Sequence, residues 1–514
     1  MALDLRPFAD TGLDEPLLRH LIADHATRIA PDLDRLWSYY RNPIDGRIGE
    51  RTDSSRGYEL AQERGLPPRI RRTPRNPATD DRASSSRPDP VIENDIAWRI
   101  DALVAFLFGK PITIRSTADD PALRARIERS LEAVFESSGG MNLLQDAALL
   151  GAVHGWVDLV LRAEHLIDAG WQLGARTSTL SDGDLAEIAR LARIEIVEAP
   201  RAIPLLAEHD YRRIDAYIIH AVRETRAVQS PHTPAHRASL ARWIPAPRTQ
   251  RNTTRSTATV IEILSAHHRQ LSIDDTIAED HPNRLGILPI VHIQNTSQPF
   301  RYAGISEVEP LIPLQDELNT RLSDRAHRVT MQSFNMYLAK GLDALAGATG
   351  APMRIAPGQV WSTDNPEADV KAFGGDGHSP SEERHIDEVR EAMDKLSAVS
   401  PVVLGVVRAK LGHLSSVNAL RITMLGVLSK TERKRLAYAR AIADLARLIL
   451  RALDIAGLLR TTDADRGIRI EWPDPLPASE DDRLAAARLK RDIGIPPERI
   501  LAELGYAPRN DAVD

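Results

Sequence analysis

The stretch that decides the reading of this chain runs from Gly304 to Ala439 and opens as GISEVEPLIPLQDELNTRLSDRAHRVTMQSFNMYLAKG, residues 304–341. Val308, Leu311, Ile312, Leu314, Leu318, Leu322, Val329 and Met331 recur there near the 3.6-residue period, and Pro310 and Pro313 fall early, where a helix tolerates them. The pattern predicts a helix over 306–335. Residues 340–379 are then broken by Gly341, Gly347, Gly350, Pro352, Pro357, Gly358, Pro366, Gly374, Gly375 and Gly377. This is a small insert, with short strands expected at MRIA (353–356) and QVWS (359–362). Helicity resumes at Ser381 to Ala398, where Ile386, Val389, Met393 and Leu396 make a narrow stripe suited to a helix flanked by neighbours. Next come PVVLGVVRAKLGHLSS, residues 401–416, and the longest helical pattern of the chain, from Ser415 to about Leu459. At 1.5 Å per residue such a helix approaches roughly 60 Å and would serve as a spine.

Charge divides the same stretch by sign. Residues 306–335 carry five acids (Glu307, Glu309, Asp316, Glu317, Asp324) against Arg321, Arg325 and Arg328. Residues 381–395 carry six (Glu382, Glu383, Asp387, Glu388, Glu391, Asp394) against Arg384, Arg390 and Lys395. With histidines neutral the two helices sum to −5. From Leu396 to Thr431 there is no acid, while Arg408, Lys410, Arg421 and Lys430 are basic and His413 adds charge at low pH. Arg433, Lys434 and Arg435 sit together on the long helix, and the plain reading of such a cluster is a solvated face rather than a nucleic-acid contact.

Outward from this stretch, 514 residues suffice for two to four domains and a substantial core. The chain has no cysteine, which excludes disulfides, thiolate metal sites and cysteine nucleophiles. The N-terminus lacks a basic region followed by an apolar core, and the apolar runs are too short or interrupted to span a bilayer, so a soluble product is expected. A net charge of −6 argues against a protein that coats itself in nucleic acid. Glu15 to Trp37 reads as a peripheral helix pair, and the Arg/Ser/Pro-rich residues 51–89 as an exposed loop. Asn94 to Ile114, NDIAWRIDALVAFLFGKPITI, is a capped helix stopped at Gly109 and followed by a strand. A helix at 121–136, another at 141–154 and the strand WVDLVLR follow, and 195–300 is strand-rich around a polar loop at 225–257. The fold class expected is α+β, mainly helical.

Several of these segments resemble those of tailed-bacteriophage portal proteins. NDIAWRIDALVAFLFGKPITI looks like that family's helix ending in Gly-Lys-Pro before a strand, and MNLLQDAALLGAVHGWVDLVLR like its next helix-strand step. The Gly-Ile-Ser, Leu-Gln-Asp-Glu-Leu-Asn and Ser-Asp of residues 304–341 are similar to the entry into the first stem helix. LSSVNALRITMLGVLSKTERKRLAYAR resembles the long helix after the tunnel loop, and IEWPDPLPASEDDRLAAARLKRDIGIPPERILAELGY the C-terminal tail. The resemblance implies a portal fold divided into an N-terminal wing (1–305), first stem helix (306–335), clip (336–379), second stem helix (380–400), tunnel loop (401–416), long wing helix and strand (417–475) and C-terminal crown (476–514).

It implies a ring, a dodecamer by expectation, through which double-stranded DNA passes without sequence reading. In that ring Glu317, Asp324, Glu383, Asp387, Glu391 and Asp394 would line an acidic channel. Arg408, Lys410 and His413 would meet the DNA backbone in the tunnel loop, and Arg354, Trp361 and Lys371 would belong to the clip. The implied partners are the terminase packaging motor, the major capsid and scaffolding proteins and a head-tail adaptor, with no membrane, cofactor, metal or catalytic residue. The implied location is the capsid vertex of the virion, reached from the host cytoplasm during assembly. Two other readings compete. A metal hydrolase would use His232 with His236, or His267 with His268, yet no acid shows metal-site spacing to either. A non-portal helical DNA-binding scaffold or adaptor is the other. Gly109-Lys110 runs into Pro111 and forms no P-loop, and no GxSxG occurs.

Overall fold

The apolar repeat of the longest helical pattern becomes the axis of the molecule. In the structure, a computed structural model, the described residues are 3–45, 58–71, 90–174, 177, 180–226, 255–274, 276–332, 336–340, 367, 369–373, 380–404, 422–476 and 480–504. In chain order the helices are α1 (Glu15–Asp24), α2 (Ala30–Arg41), α3 (Asp95–Phe108), α4 (Pro121–Ser137), α5 (Met141–His154), α6 (Glu164–Leu173) and α7 (Asp182–Ala189). Then come α8 (Ile312–Gln332), α9 (Pro380–Ser397), α10 (Leu425–Ile455), α11 (Glu480–Asp492) and α12 (Pro497–Glu503). α10 is 31 residues long, about 46 Å. Tyr438, Ile442, Leu445, Ala446, Ile449 and Leu453 bury its inner face in the main core, together with side chains of α3, α4, α5 and α6. Among the described residues no helix is long and apolar enough to cross a membrane.

Two antiparallel sheets stand beside this axis. The first has order β11 (Ile290–Gln294), β4 (Trp156–Arg162), β5 (Arg193–Glu198), and β4, buried along nearly its whole length, is its centre. The second is a five-stranded meander of β6 (Ala202–Ala207), β7 (Asp210–Arg226), β8 (Arg255–Ser265), β9 (His268–Ile273) and β10 (Thr276–Pro282). Its apolar face takes up Phe8, Leu13 and Leu18, all buried. Tyr39 of α2 is buried with Ile96, Ile100 and Leu311. The N-terminal helices are therefore core elements and not a peripheral pair.

Smaller pairings close the fold. β1 (Ile44–Asp45) pairs with β2 (Glu59–Leu60), and β3 (Thr113–Ser116) with β14 (Ile468–Glu471), Ile114 facing Ile470. β12 (Met336–Lys340) pairs with β13 (Asp369–Phe373), so a ladder joins the two ends of the insert that follows α8. The strands expected at MRIA and QVWS lie outside the described residues.

Candidate functional site: the α8–α9 pair and its root

α9 matches the helix expected over 381–398 to within one residue at each end, while α8 takes Ile312–Gln332 of the expected 306–335, with a 3-10 turn at Glu309–Leu311 before it. Arg328, near the end of α8, pairs with Glu382 at the start of α9, and Arg325 lies 3.5 Å from Glu383, so the helices run antiparallel. Their shared seam is apolar: Leu311, Ile312 and Leu318 meet Ile386, Val389 and Met393, backed by α3 and α5. The opposite ends of the pair lie far apart in character. One runs into the β12–β13 ladder, and the other is anchored in the body.

A polar ladder on α8 does part of that anchoring. Gln315, Asn319 and Ser323, spaced by four residues, are all fully buried. Each accepts a hydrogen bond from the backbone leading into α3: Gln315 Oε1 from Asp95 N, the first residue of α3, at 3.0 Å, Asn319 Oδ1 from Glu93 N at 3.0 Å and Ser323 Oγ from Val91 N at 2.9 Å. Asn319 Nδ2 also donates to Gln62 Oε1 at 3.0 Å. Buried backbone groups must find partners, and here a helix side chain supplies them where a sheet would elsewhere. The Gln-x-x-x-Asn-x-x-x-Ser spacing was visible in the sequence, although the acids around it drew the reading.

The root of the pair is a buried ionic knot. Glu307, which precedes α8, accepts from Lys430 and lies 2.9 Å from Lys434 Nζ, both on α10, and Asn295 Nδ2 donates to it at 3.2 Å. Lys430 also donates to the carbonyl of Ser397 at the end of α9, at 3.0 Å. One carboxylate thus ties the start of α8, the end of α9 and α10 together. Burial raises the Glu307 carboxyl, but Lys434 and Lys430 outweigh it and hold it below the usual carboxylate range. Burial pulls the Lys434 ammonium down, against the pull of Glu307. Just beside the knot the chain crosses itself at Gly155, with φ 92°, and Gly304; a Cβ on Gly155 would stand 2.6 Å from the Gly304 carbonyl oxygen.

Each acid expected to line a channel has a definite place. Glu317 is half-buried and bound to Arg321 Nε at 2.7 Å and His385 at 3.0 Å; burial raises its pKa, but these two bonds leave it below the ordinary value. Asp324 pairs with Arg69 at 3.0 Å and with Arg321 at 3.4 Å. Asp394 lies 2.6 Å from Arg99, a guanidinium buried to 1% exposure that also reaches Asp95 at 3.1 Å and stacks over Trp98. Glu383 faces Arg325, while Asp387 and Glu391 are exposed four residues apart on α9. The −5 counted along the two helices is therefore offset by bases from elsewhere, Arg69 and Arg99 among them. Asp387 and Glu391 are the acids of this group that face outward.

Other expected residues are dispersed or undescribed. Lys371 sits on β13 opposite Leu338 of β12. Arg354, Trp361, Arg408, Lys410 and His413 lie outside the described residues. The Arg433–Lys434–Arg435 cluster is not a solvated face: only Arg433 is exposed. Lys434 belongs to the knot, and Arg435 donates to the Pro473 carbonyl at 2.9 Å and stacks over Trp472. His232 and His236 lie outside the described residues, and His268 is 2.5 Å from Asp280 Oδ1.

Comparison with known proteins places this arrangement. The family model described as "Phage portal protein, SPP1 Gp6-like" matches residues 247–505, just over half of the chain, a span that contains β8 through α12. The chain belongs to the phage portal protein family of SPP1 Gp6-like type. Among solved structures it is similar to a chain of the virion of a native gene transfer agent (GTA) particle, at 12% identity and a TM-score of 0.36 over 80% of this chain and 90% of that one. It is also similar to a chain of the neck of an empty GTA particle computed with C6 symmetry, at 12% identity and a TM-score of 0.39 with the same coverage. No curated protein matches it.

Proposed function

We propose that copies of this chain close into a ring, twelve in the capsid, that conducts double-stranded DNA through one vertex of a virion during packaging, retention and ejection. The observation that carries this reading is that the family match spans α8, the insert, α9 and α10 as one unit. Its physical support is the order of charge. Acids on α8 and α9, repeated around a ring, would repel phosphate and let a duplex slide. The acid-free segment that follows α9 carries Arg408 and Lys410, which would meet the backbone without reading sequence. The role is structural and not catalytic. The β12–β13 ladder and the residues between its strands would dock the terminase motor during filling and the head-tail adaptor afterwards, with major capsid and scaffolding proteins around the wing. The ring would assemble in the host cytoplasm and remain in the particle.

The test is to replace Arg408 and Lys410 by Ala. Rings should still assemble, and packaged DNA length or retention should change. Unchanged length and yield would remove the tunnel-loop role.

A further inference from the structure

α11, the last helix but one, and the turn that follows it present a face that the rest of the described chain leaves open. Leu489 and Ile493, four residues apart, are 66% and 77% exposed. Arg488 and Lys490 flank Leu489, and Arg491 follows, 3.7 Å from the acid Asp492, so this end of α11 keeps a net positive charge beside its apolar residues. A helix with apolar residues in water at that spacing has an unburied contact surface.

A surface of opposite character lies against β3. A groove of about 350 Å³ runs between β3, α4 and the start of α5. That is roughly ten times the volume of one liquid water. Its floor is apolar, made by Ile112, Ile114, Phe135, Met141 and Leu144. Its rim is acidic, made by Glu128, Glu132 and Glu136 at helical spacing along α4, with Arg115 as the one base. Arg115 is already paired with Glu128 at 3.3 Å, and Glu132 and Glu136 are exposed. Apolar floor and acidic rim are the complement of Leu489 and Ile493 and of the net positive charge around them, Arg488 above all.

The chain a few residues before α11 is held beside the groove. Lys110, next to the groove residue Pro111, donates to the carbonyls of Asp474 and Leu476, at 2.5 and 3.1 Å. Yet Leu489 and Ile493 remain exposed, so α11 does not fill the groove of its own chain. We infer that the groove takes the Leu489–Ile493 end of α11 from a second copy of this chain. Groove and helix are different surfaces of one molecule, so the contact is head-to-tail, and head-to-tail contacts that close generate rings. The inference rests on the ring reading proposed above and adds to it the pair of surfaces that joins neighbours.

The absence of native cysteine makes the test direct. In the full chain, Glu132→Cys and Leu489→Cys are combined and treated with a short bismaleimide, and ring mass is measured in parallel on the wild type. The inference expects a ladder of covalently joined copies under denaturing conditions, absent from either single variant. Rings without a ladder, or a link found only within single chains, overturn it while the ring reading stands. A wild type that forms no ring overturns the ring reading and the inference together. In a second arm, Glu132→Lys with Glu136→Lys should lower the ring fraction at matched concentration by about tenfold or more, since like charges would then face each other across the contact. Arg488→Glu with Arg491→Glu in the same chain should restore it. A loss that the second pair does not restore counts against the contact.

Discussion

Removing the carboxylate of Glu307 should destabilise the body of the protein more than removing any exposed acid of α8 or α9. Glu307 and Lys434 have side chains 7% and 4% exposed, and Lys430 and Asn295 complete the cluster. Glu307→Ala leaves the Lys434 ammonium buried without its counter-charge, a change that costs about 3–5 kcal/mol in comparable sites. Lys430 is 21% exposed and can turn to water, so the cost falls chiefly on Lys434. Replacing both members, Glu307→Gln with Lys434→Met, should recover most of the loss, because no uncompensated charge remains. The readout is hydrogen exchange of α10 amides, which should quicken roughly a hundredfold to a few thousandfold in Glu307→Ala.

The pH dependence has a fixed sign. Because burial lowers the Lys434 pKa, the folded state binds fewer protons than the unfolded state between its folded pKa and 10.5, and stability rises with pH in that interval. Loss of Glu307 pushes that pKa lower and widens the interval, so the variant should regain stability on alkalinisation more than the wild type does. A Glu307→Ala protein within about 1 kcal/mol of wild type would refute the argument, and so would a double variant whose loss equals the sum of the singles.

Other outcomes follow from single contacts. A Cβ on Gly151 of α5 would stand 2.5 Å from the Tyr438 hydroxyl of α10, so Gly151→Ala should cost about 1–3 kcal/mol in denaturant unfolding. The Tyr438 hydroxyl is buried and makes no hydrogen bond among the described residues, so Tyr438→Phe should be neutral or stabilising and should rescue Gly151→Ala. Burial lowers the His154 pKa from 6.5 to about 4, opposed by Glu198, so the unfolded chain binds the extra proton first. Stability should therefore fall as pH drops from 6.5 towards 4, by on the order of 3 kcal/mol, and this component should vanish in His154→Leu.

What the sequence disclosed and what it hid divide along local and non-local physics. The α9 stripe of Ile386, Val389, Met393 and Leu396 predicted 381–398 against the observed Pro380–Ser397, because helix periodicity and the Pro boundary are local signals. The strand read at PITI instead occupies Thr113–Ser116, since its register is set by β14, more than three hundred residues away. β6, β9 and β10 fall within the strand-rich stretch expected over 195–300, but their bounds are not legible, because their residues alternate weakly and Pro204 interrupts the first. The Glu307 knot was illegible, because Lys430 and Lys434 stand over a hundred residues from their partner. Basic residues are exposed by default, which is why Lys434 and Arg435 read as a solvated face until the fold supplied Glu307, Pro473 and Trp472 as partners. Leu436, apolar and in the middle of the long helix, is 76% exposed, because the face of α10 that buries Lys434, Arg435 and Tyr438 turns it outward. The excess of acid on α8 and α9 is legible as a count of residues, but the pairing of Asp324 with Arg69 and of Asp394 with Arg99 needs three dimensions.

The central claim, that copies of this chain enclose a passage for DNA, is tested most directly by imaging and weighing the purified protein. Negative-stain class averages with native mass measurement should show a closed ring with a central hole, twelve-fold in the particle and a large cyclic assembly in isolation. Monomers or small open oligomers across a range of protein and salt concentrations would contradict it.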